Sequence, residues 1–193
     1  MPRPDLTTER TEQILDAFER CIARDGLAGT SLADIAEEAG VKRSLLRHYV
    51  GNRDDLVHAL GDRLVEEYRA ELQEMAEYVA GGERVERLLH SLFPPPSDEA
   101  FRRVLVIEAL IAASREDETL RAQMVATVED LVAAVVDALR AEFPDAAKKD
   151  VFSVSWGIVG LSFNEESVTP LELAKRYRRG SMEAARRLIG SLE

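Results

Sequence analysis

Apolar residues recur at helical spacing along almost the whole chain, and this pattern predicts an all-α fold of about nine helices. The first helix carries Ile14, Leu15, Phe18 and Ile22 on one side and ends at Gly26, since glycine adopts the left-handed conformation at little cost. Later breaks fall at residues 81–82, 93–96, 116–117 and 144–145, which are rich in glycine, proline or acidic residues. No segment shows the strict alternation that is typical of a strand.

Residues 31–49 predict two short helices joined by a tight turn. Ser31 and Asp34 form a capping box that begins the first helix, and Gly40 ends it. The apolar face of that helix consists of Leu32, Ile35, Ala36 and Ala39. The second helix is expected to hold Leu45 and Leu46 inward and to turn outward Lys42, Arg43, Ser44, Arg47 and His48. Such a helix suits the major groove of DNA, although helix pairs of this spacing also occur as plain solvated surface.

The charge of this segment favours a polyanionic partner. From Gly40 to Arg53 inclusive there are four Lys/Arg residues and no Asp or Glu, whereas the chain as a whole has a formal net charge of −11. Cations concentrated in one segment of an acidic protein indicate binding to phosphates, because counterion release drives that association.

The same segment resembles the TetR family of bacterial transcriptional regulators. The resemblance rests on residues 30–36 (TSLADIA), 39–41 (AGV), 46–50 (LRHYV) and 52–56 (NRDDL). It covers the N-terminal part of the chain, and beyond that part only the helical architecture is similar.

The resemblance implies that one set of residues contacts DNA. Phosphate contacts are implied for Ser31 and Arg53, and the complete implied set is Ser31, Lys42, Arg43, Ser44, Arg47, His48, Tyr49 and Arg53. This chain has Arg47 where the family usually has tyrosine, and Leu45 where the family often has a small residue or threonine. Arginine can contact a phosphate or a guanine edge, and Leu45 either packs inward or meets a thymine methyl group.

The remainder of the chain is expected to regulate and to dimerise. Residues 1–53 are predicted to form the helix-turn-helix DNA-binding domain and residues 54–193 a helical ligand-binding and dimerisation domain. In the family the last two main helices, here about 146–165 and 170–190, pair with those of a second subunit. The segment 151–163 is apolar nearly all round, with Gly157 and Gly160 where another helix approaches, so it predicts a homodimer interface or a central core helix.

A ligand cavity among the middle helices is implied by the resemblance, but no motif defines it. Glu108 lies in an apolar run, and a carboxylate buried there needs a partner or must be neutral. It is therefore half of a salt bridge, a residue at the edge of the apolar stripe, or an anchor for a cationic ligand. Aromatic residues could line such a cavity, which gives the tentative set Tyr68, Phe101, Glu108, Phe152 and Trp156; aromatics at helical spacing are also common core residues.

Composition argues against several other classes of protein. The single cysteine, Cys21, lies on an apolar helix face and excludes a disulfide within the chain or a cysteine-cluster metal site. His48, His58 and His90 show no ligand or catalytic spacing, so no catalytic residue, metal or cofactor is expected. No apolar run reaches the length of a membrane span and no signal-peptide core is present, so a cytoplasmic location is expected.

The sequence therefore predicts a dimeric, ligand-responsive transcriptional regulator, a repressor that a small molecule releases from a palindromic operator. An activator would have the same sequence features. The alternative is a helical ligand-binding or protein-interaction module with a vestigial helix-turn-helix.

Overall fold

The computed structural model describes residues 6–171 and 173–193. All regular secondary structure in these residues is helical. The nine α-helices in these residues are α1 (Leu6–Gly29), α2 (Leu32–Glu38), α3 (Arg43–Val50), α4 (Arg53–Ala80), α5 (Arg84–Leu92), α6 (Asp98–Ala113), α7 (Glu118–Glu142), α8 (Lys148–Ser167) and α9 (Ala174–Gly190). A single 3-10 turn, Thr169–Leu171, precedes α9. The predicted all-α fold is confirmed. None of the described helices is long and apolar enough to cross a bilayer.

The turn between α2 and α3 has the geometry that its glycine predicts. Gly40 has φ +65°, its N–H donates to the carbonyl of Glu37 (3.0 Å), and the N–H of Val41 donates to the carbonyl of Ala36 (2.9 Å). This pair of bonds is a Schellman motif, which satisfies the last carbonyls of α2. At the other end of α2, Ser31 and Asp34 form the predicted capping box. Both ends of α2 are therefore determined locally.

The described chain divides into two compact units, and α4, α6 and α7 each contribute to both. The first unit combines the chain up to Val65 with Arg102–Val125, and the second combines Glu66–Phe101 with Ala126–Glu193. This division differs from the predicted one, which placed a single boundary between residues 53 and 54. Leu60 of α4 and Leu110 of α6 lie in the same hydrophobic core as Phe18 of α1, so the first unit extends well beyond the three N-terminal helices.

An ion-pair cluster joins α4 to α1 within the first unit. The guanidinium of Arg63, which is only 10% exposed, donates to Glu12 (3.2 Å), Asp16 (2.7 Å) and Glu19. These carboxylates share one face of α1, three to four residues apart. Burial by itself would lower the pKa of Arg63, but the three carboxylates outweigh burial and raise it. The cluster holds α4 against the helix that supports α2 and α3.

The second unit has its own core, formed by α5, α8, α9 and the adjoining parts of α4 and α7. Its most deeply buried side chains include Leu88, Leu89, Val135, Val151, Ile158 and Ala185. Within this unit, Arg186 of α9 donates two hydrogen bonds of 2.8 Å to Glu86 of α5. The predicted spans 146–165 and 170–190 correspond to α8 and α9, although α9 begins later than predicted because the 3-10 turn precedes it.

Candidate nucleic-acid interface

Helix α3 is anchored from one side and open on the other. Leu46 and Val50 are buried in the core of the first unit, and the ring of Tyr49 packs partly against that core. At about 100° per residue, Ser44 and His48 lie on the opposite side of the helix from Leu46 and Val50. The outward residues Lys42, Arg43, Ser44, Arg47 and His48 are all exposed, as predicted.

The cations on the outward face of α3 have no acidic partner. Within residues 6–171 and 173–193, Lys42, Arg43 and Arg47 form no ion pair with any carboxylate. Glu38, at the end of α2, is engaged elsewhere: it accepts hydrogen bonds from Arg20 (2.8 Å) and Arg24 (3.1 Å) of α1. Both arginines lower the pKa of Glu38. The positive charge of α3 is therefore available to a partner.

Leu45 does not pack inward, so that expectation is wrong. Its side chain is 45% exposed, whereas the adjacent Leu46 is fully buried. Consecutive residues of a helix differ by about 100° in direction, so two adjacent leucines cannot both face a core on one side. Leu45 lies on one flank of the outward face, and Arg43 and Arg47 lie on the other.

Arg53 is engaged within the protein, in contrast to the implied phosphate contact. Its guanidinium donates hydrogen bonds to the carbonyl oxygens of Leu27 and Thr30, where α1 ends. The carbonyl of Leu27 also accepts from the N–H of Thr30 (3.4 Å), and Arg53 adds a charged donor at the end of α1. We therefore leave Arg53 out of the proposed set of DNA contacts.

Ser31, His48 and Tyr49 are the remaining implied contacts. The hydroxyl oxygen of Ser31 accepts from the N–H groups of Ala33 and Asp34 (3.3 Å each), which leaves its own proton available to donate. The ring of His48 meets that of Tyr49 edge-on, with 5.3 Å between centroids. Their contacts with DNA stay a prediction.

Glu108 is exposed and is not a carboxylate buried in the core, so the structure removes the reason for expecting a partner at this position. Helix α6 is apolar on nearly all sides, so its sequence does not reveal the inward face. In the structure Val106 and Leu110 face the core. Glu108 lies two residues from each of them, about 200° around the helix, and therefore points away from the core.

The buried carboxylate is instead that of Glu165, which the sequence interpretation missed. Glu165 is 7% exposed and accepts a hydrogen bond from the hydroxyl of Ser181 on α9. It belongs to a stripe of buried residues at alternating spacings of four and three along α8: Val151, Ser155, Ile158, Ser162 and Glu165. That spacing is the signal that could have identified it.

The other tentative ligand residues belong to the second unit and are not enclosed. Phe152 and Trp156 lie one turn apart on α8 and are 57% and 54% exposed in the isolated chain. Tyr68 and Phe101 are half-buried. A role of these residues in ligand binding stays a prediction, and the exposure of Phe152 and Trp156 favours contact with another protein surface.

A groove runs between α8 and α9 within the second unit. Its volume is about 750 Å³, and it is lined by Gly157, Leu161, Gly180, Glu183, Ala184, Arg187, Leu188 and Ser191. A methyl group added at Gly157 would meet Leu188 of α9 at 3.4 Å, so the glycine accommodates close approach of these helices. No neighbour lies near Gly160, where the surface of α8 is open.

Two polar contacts in the first unit were also missed by the sequence interpretation. His58 of α4 contacts Asp117 with 2.6 Å between Nε2 and Oδ2, and Asp117 also accepts from the N–H of Leu120 at the start of α7. The N–H of Leu120 and the imidazole lower the pKa of Asp117. Nearby, Gln123 donates to the carbonyl of His58 (3.1 Å) and to Asp62 (2.6 Å). These contacts hold the beginning of α7 against α4.

Comparison with known proteins agrees with this geometry. The family model described as "Bacterial regulatory proteins, tetR family" matches residues 14–60, which comprise most of α1, the α2–turn–α3 segment and the start of α4. Residues 14–60 thus carry the sequence pattern of the TetR family.

Curated relatives match part of the chain. The HTH-type transcriptional regulator HbdR of Aromatoleum sp. (strain CIB) is 28% identical over 127 residues, which cover 66% of this chain and 53% of HbdR. The HTH-type transcriptional regulator BetI of Burkholderia thailandensis is 37% identical over 59 residues, 31% of this chain and 30% of BetI. The chain thus matches about half the length of HbdR and less than a third of BetI.

Solved structures match the chain over nearly its full length. A TetR transcription regulator from Haloarcula marismortui superposes with a TM-score of 0.80 at 16% identity, covering 96% of this chain and 98% of that one. A TetR-family transcriptional regulator from Cytophaga hutchinsonii gives a TM-score of 0.77 at 14% identity, covering 100% and 98%. At these identities the likeness establishes the fold, including the helices beyond residue 60.

Proposed function

We propose that the chain is a homodimeric, DNA-binding transcriptional regulator, and that it acts as a repressor released from a palindromic operator by a small molecule. The observation that carries this proposal is the outward face of α3, whose cations Lys42, Arg43 and Arg47 have no ion-pair partner in the described chain. A helix of this shape and charge fits the major groove, where phosphates bind cations and base edges accept hydrogen bonds.

The acidic remainder of the chain supports selective binding at α3. The net charge of −11 repels DNA from most of the surface, so attraction is concentrated where the cations are exposed. Lys42 and one of the two arginines of α3, Arg43 and Arg47, are assigned to phosphates. The other of these arginines is assigned to a phosphate or a guanine edge. Ser44 and His48, at the centre of the face, are assigned to base edges.

Dimerisation is assigned to α8 and α9. Phe152, Trp156 and Leu188 are large apolar side chains exposed on these helices, and the groove beside Gly157 and Gly180 offers space for side chains of a second copy. A two-fold dimer presents two α3 helices to two half-sites, which is why a palindromic operator is proposed.

Release by a ligand follows from linkage between two forms of the dimer. Helix α4 contributes Leu56, Leu60 and Leu64 to the core that supports α3, and Val79 to the core of the second unit. A ligand that prefers a form with differently spaced α3 helices shifts the population away from DNA. Tyr68 and Phe101, which are half-buried, are the tentative contacts for such a ligand, and the exposed Glu108 a weaker one.

The test is an electrophoretic mobility shift with the full chain and DNA flanking its own gene. Lys42→Ala/Arg47→Ala removes two exposed cations from α3 and is expected to weaken binding by at least tenfold, since each lost charge-assisted contact costs about 1.5–3 kcal/mol. Arg115→Ala/Arg140→Ala removes the same charge at two exposed positions outside α3 and is expected to bind like the wild type.

Three outcomes would contradict the proposal. They are the absence of any shift at low salt, a shift that is equally strong with unrelated DNA, and equal weakening by the two double variants. Of these outcomes, the absence of a shift would also favour the alternative, a ligand-binding or interaction module with a vestigial helix-turn-helix.

A further inference from the structure

Leu45 is the one exposed apolar side chain between Lys42 and His48, a stretch that is described throughout. It is 45% exposed and is not part of the core that buries Leu46 and Val50. Its neighbours on the surface of α3 are cations and hydrogen-bond donors. An exposed leucine by itself is ordinary on a protein surface, so its meaning depends on what the surrounding face binds.

The surroundings of Leu45 select nucleic acid as the partner. A protein partner with an apolar patch would have to desolvate Lys42, Arg43 and Arg47, none of which has a carboxylate neighbour on α3. A polyanion gains from the same charges. Leu45 lies on the flank opposite Arg43 and Arg47, so it reaches a different part of a groove from the one that the arginines reach.

The major groove offers one apolar feature that an aliphatic side chain can contact, the C5-methyl group of thymine. We propose that Leu45 is a specificity-determining residue that packs against a thymine methyl and selects a T·A pair at one position of each operator half-site. This inference rests on the proposed DNA-binding function. It adds that recognition includes an apolar contact as well as the polar contacts of Ser44, Arg47 and His48.

The experiment removes the methyl group from the DNA and the leucine from the protein in turn. The full chain first enriches duplexes from a random-sequence library, and each thymine of the enriched duplex is then replaced by deoxyuridine, which lacks only the methyl group. For the wild type, replacement at one position in both half-sites is expected to weaken binding about fifteenfold, or about fourfold per methyl. Leu45→Ala is expected to bind the thymine duplex more weakly and to lose nothing further with deoxyuridine.

Two control variants make the result specific to Leu45. Leu45→Met keeps an apolar side chain of similar reach and is expected to retain the deoxyuridine penalty. Ile111→Ala shortens an aliphatic side chain of comparable exposure on α6 and is also expected to retain it. Circular dichroism checks that Leu45→Ala keeps its helices, which is expected at an exposed position.

The inference is overturned if the wild type tolerates deoxyuridine at every position, or if Leu45→Ala shows the wild-type penalty. In both cases enrichment of a sequence would leave the proposed function standing. If the wild-type chain enriches no sequence, the proposed function and the role of Leu45 fail together.

Discussion

Arg53 illustrates at the scale of a single residue how a fold can redirect a side chain that a motif assigns to DNA. The family pattern implies a phosphate contact, but the guanidinium satisfies the carbonyls of Leu27 and Thr30. A hydrogen bond from a charged donor stabilises a fold more than one from a neutral donor, and removal of Arg53 takes this donor from both carbonyls. Arg53 therefore has a structural role in joining α4 to the end of α1.

Arg53→Ala is expected to lower the free energy of unfolding by about 1.5–3 kcal/mol, because hydrogen bonds from a charged group are lost. Urea unfolding followed by circular dichroism measures this change. Arg47→Ala, on the exposed face of α3, is the control and should leave stability nearly unchanged. A variant at Arg53 that keeps full stability yet loses DNA binding would show that the residue contacts phosphate after all.

Leu45 and Glu108 show which single-residue features the sequence could predict and which it could not. Both lie in runs where apolar residues are adjacent, so spacing does not decide which side faces inward. Where apolar residues recur at full helical spacing, as with Ile35, Ala36 and Ala39, the predicted burial is confirmed. Local geometry was also predictable: the left-handed glycines at 26 and 40 have φ +72° and +65°.

At the scale of helices, α8 carries large apolar side chains that the isolated chain does not cover. Its buried stripe faces the core of the second unit, while Phe152 and Trp156 remain more than half exposed on another side. The sequence predicted the helix and its all-round apolar character. Which side meets a second copy depends on tertiary packing and was not predictable.

Phe152→Glu/Trp156→Glu is expected to convert the protein from a dimer to a monomer, because charges would replace the apolar contacts of the proposed interface. Light scattering after size exclusion should give twice the chain mass of 21.5 kDa for the wild type and that mass for the variant. Ile111→Glu/Val125→Glu places the same charges at exposed apolar positions on α6 and α7 and should remain dimeric. A double variant on α8 that still forms dimers would contradict the assignment.

Trp156 is the only tryptophan of the chain, so its fluorescence reports directly on α8. In the proposed dimer the indole is shielded, and its emission should move to longer wavelength and become more sensitive to iodide quenching as the protein is diluted. Emission and quenching that do not change across the range in which the mass changes would place the indole outside the interface.

At the scale of the whole molecule, carboxylates that form ion pairs or accept hydrogen bonds link the free energy of unfolding to pH. Arg20 and Arg24 lower the pKa of Glu38, and Arg186 lowers that of Glu86. Hydrogen bonds from Ser31 lower the pKa of Asp34. Carboxyl groups whose pKa is lower in the folded chain stabilise it at pH values above their unfolded values of about 4. That contribution disappears as pH falls through the folded pKa values.

Stability to urea is therefore expected to decrease from about pH 5 towards pH 3. The Glu38→Gln variant should have a lower urea midpoint than the wild type at pH 7 and nearly the same midpoint at pH 3, because Arg20 and Arg24 stabilise the ionised carboxylate. Glu37→Gln is the matched control, since the Glu37 side chain has no ion pair or hydrogen bond in the described ranges, and its midpoint should follow the wild type. A constant difference between Glu38→Gln and the wild type at all pH values would contradict this linkage.

Which residues make up each of the two units was the largest feature that the sequence did not predict. The TetR-like motif ends near residue 60, but Val106, Leu110 and Leu120 complete the core beneath it. Contacts between residues so far apart in sequence leave no local pattern. The helices, their ends and the charged surface of α3 were predictable because each depends on neighbouring residues.

The most direct test of DNA binding through α3 is the salt dependence of the binding constant for the enriched duplex, measured for the wild type and Lys42→Ala/Arg47→Ala. The wild type should give a straight line of negative slope when log K is plotted against log salt. In the dimer the variant should reduce that slope by about 2 if one of the two cations meets a phosphate and by about 4 if both do. Equal slopes for the two proteins, or wild-type binding that does not depend on salt, would contradict the account.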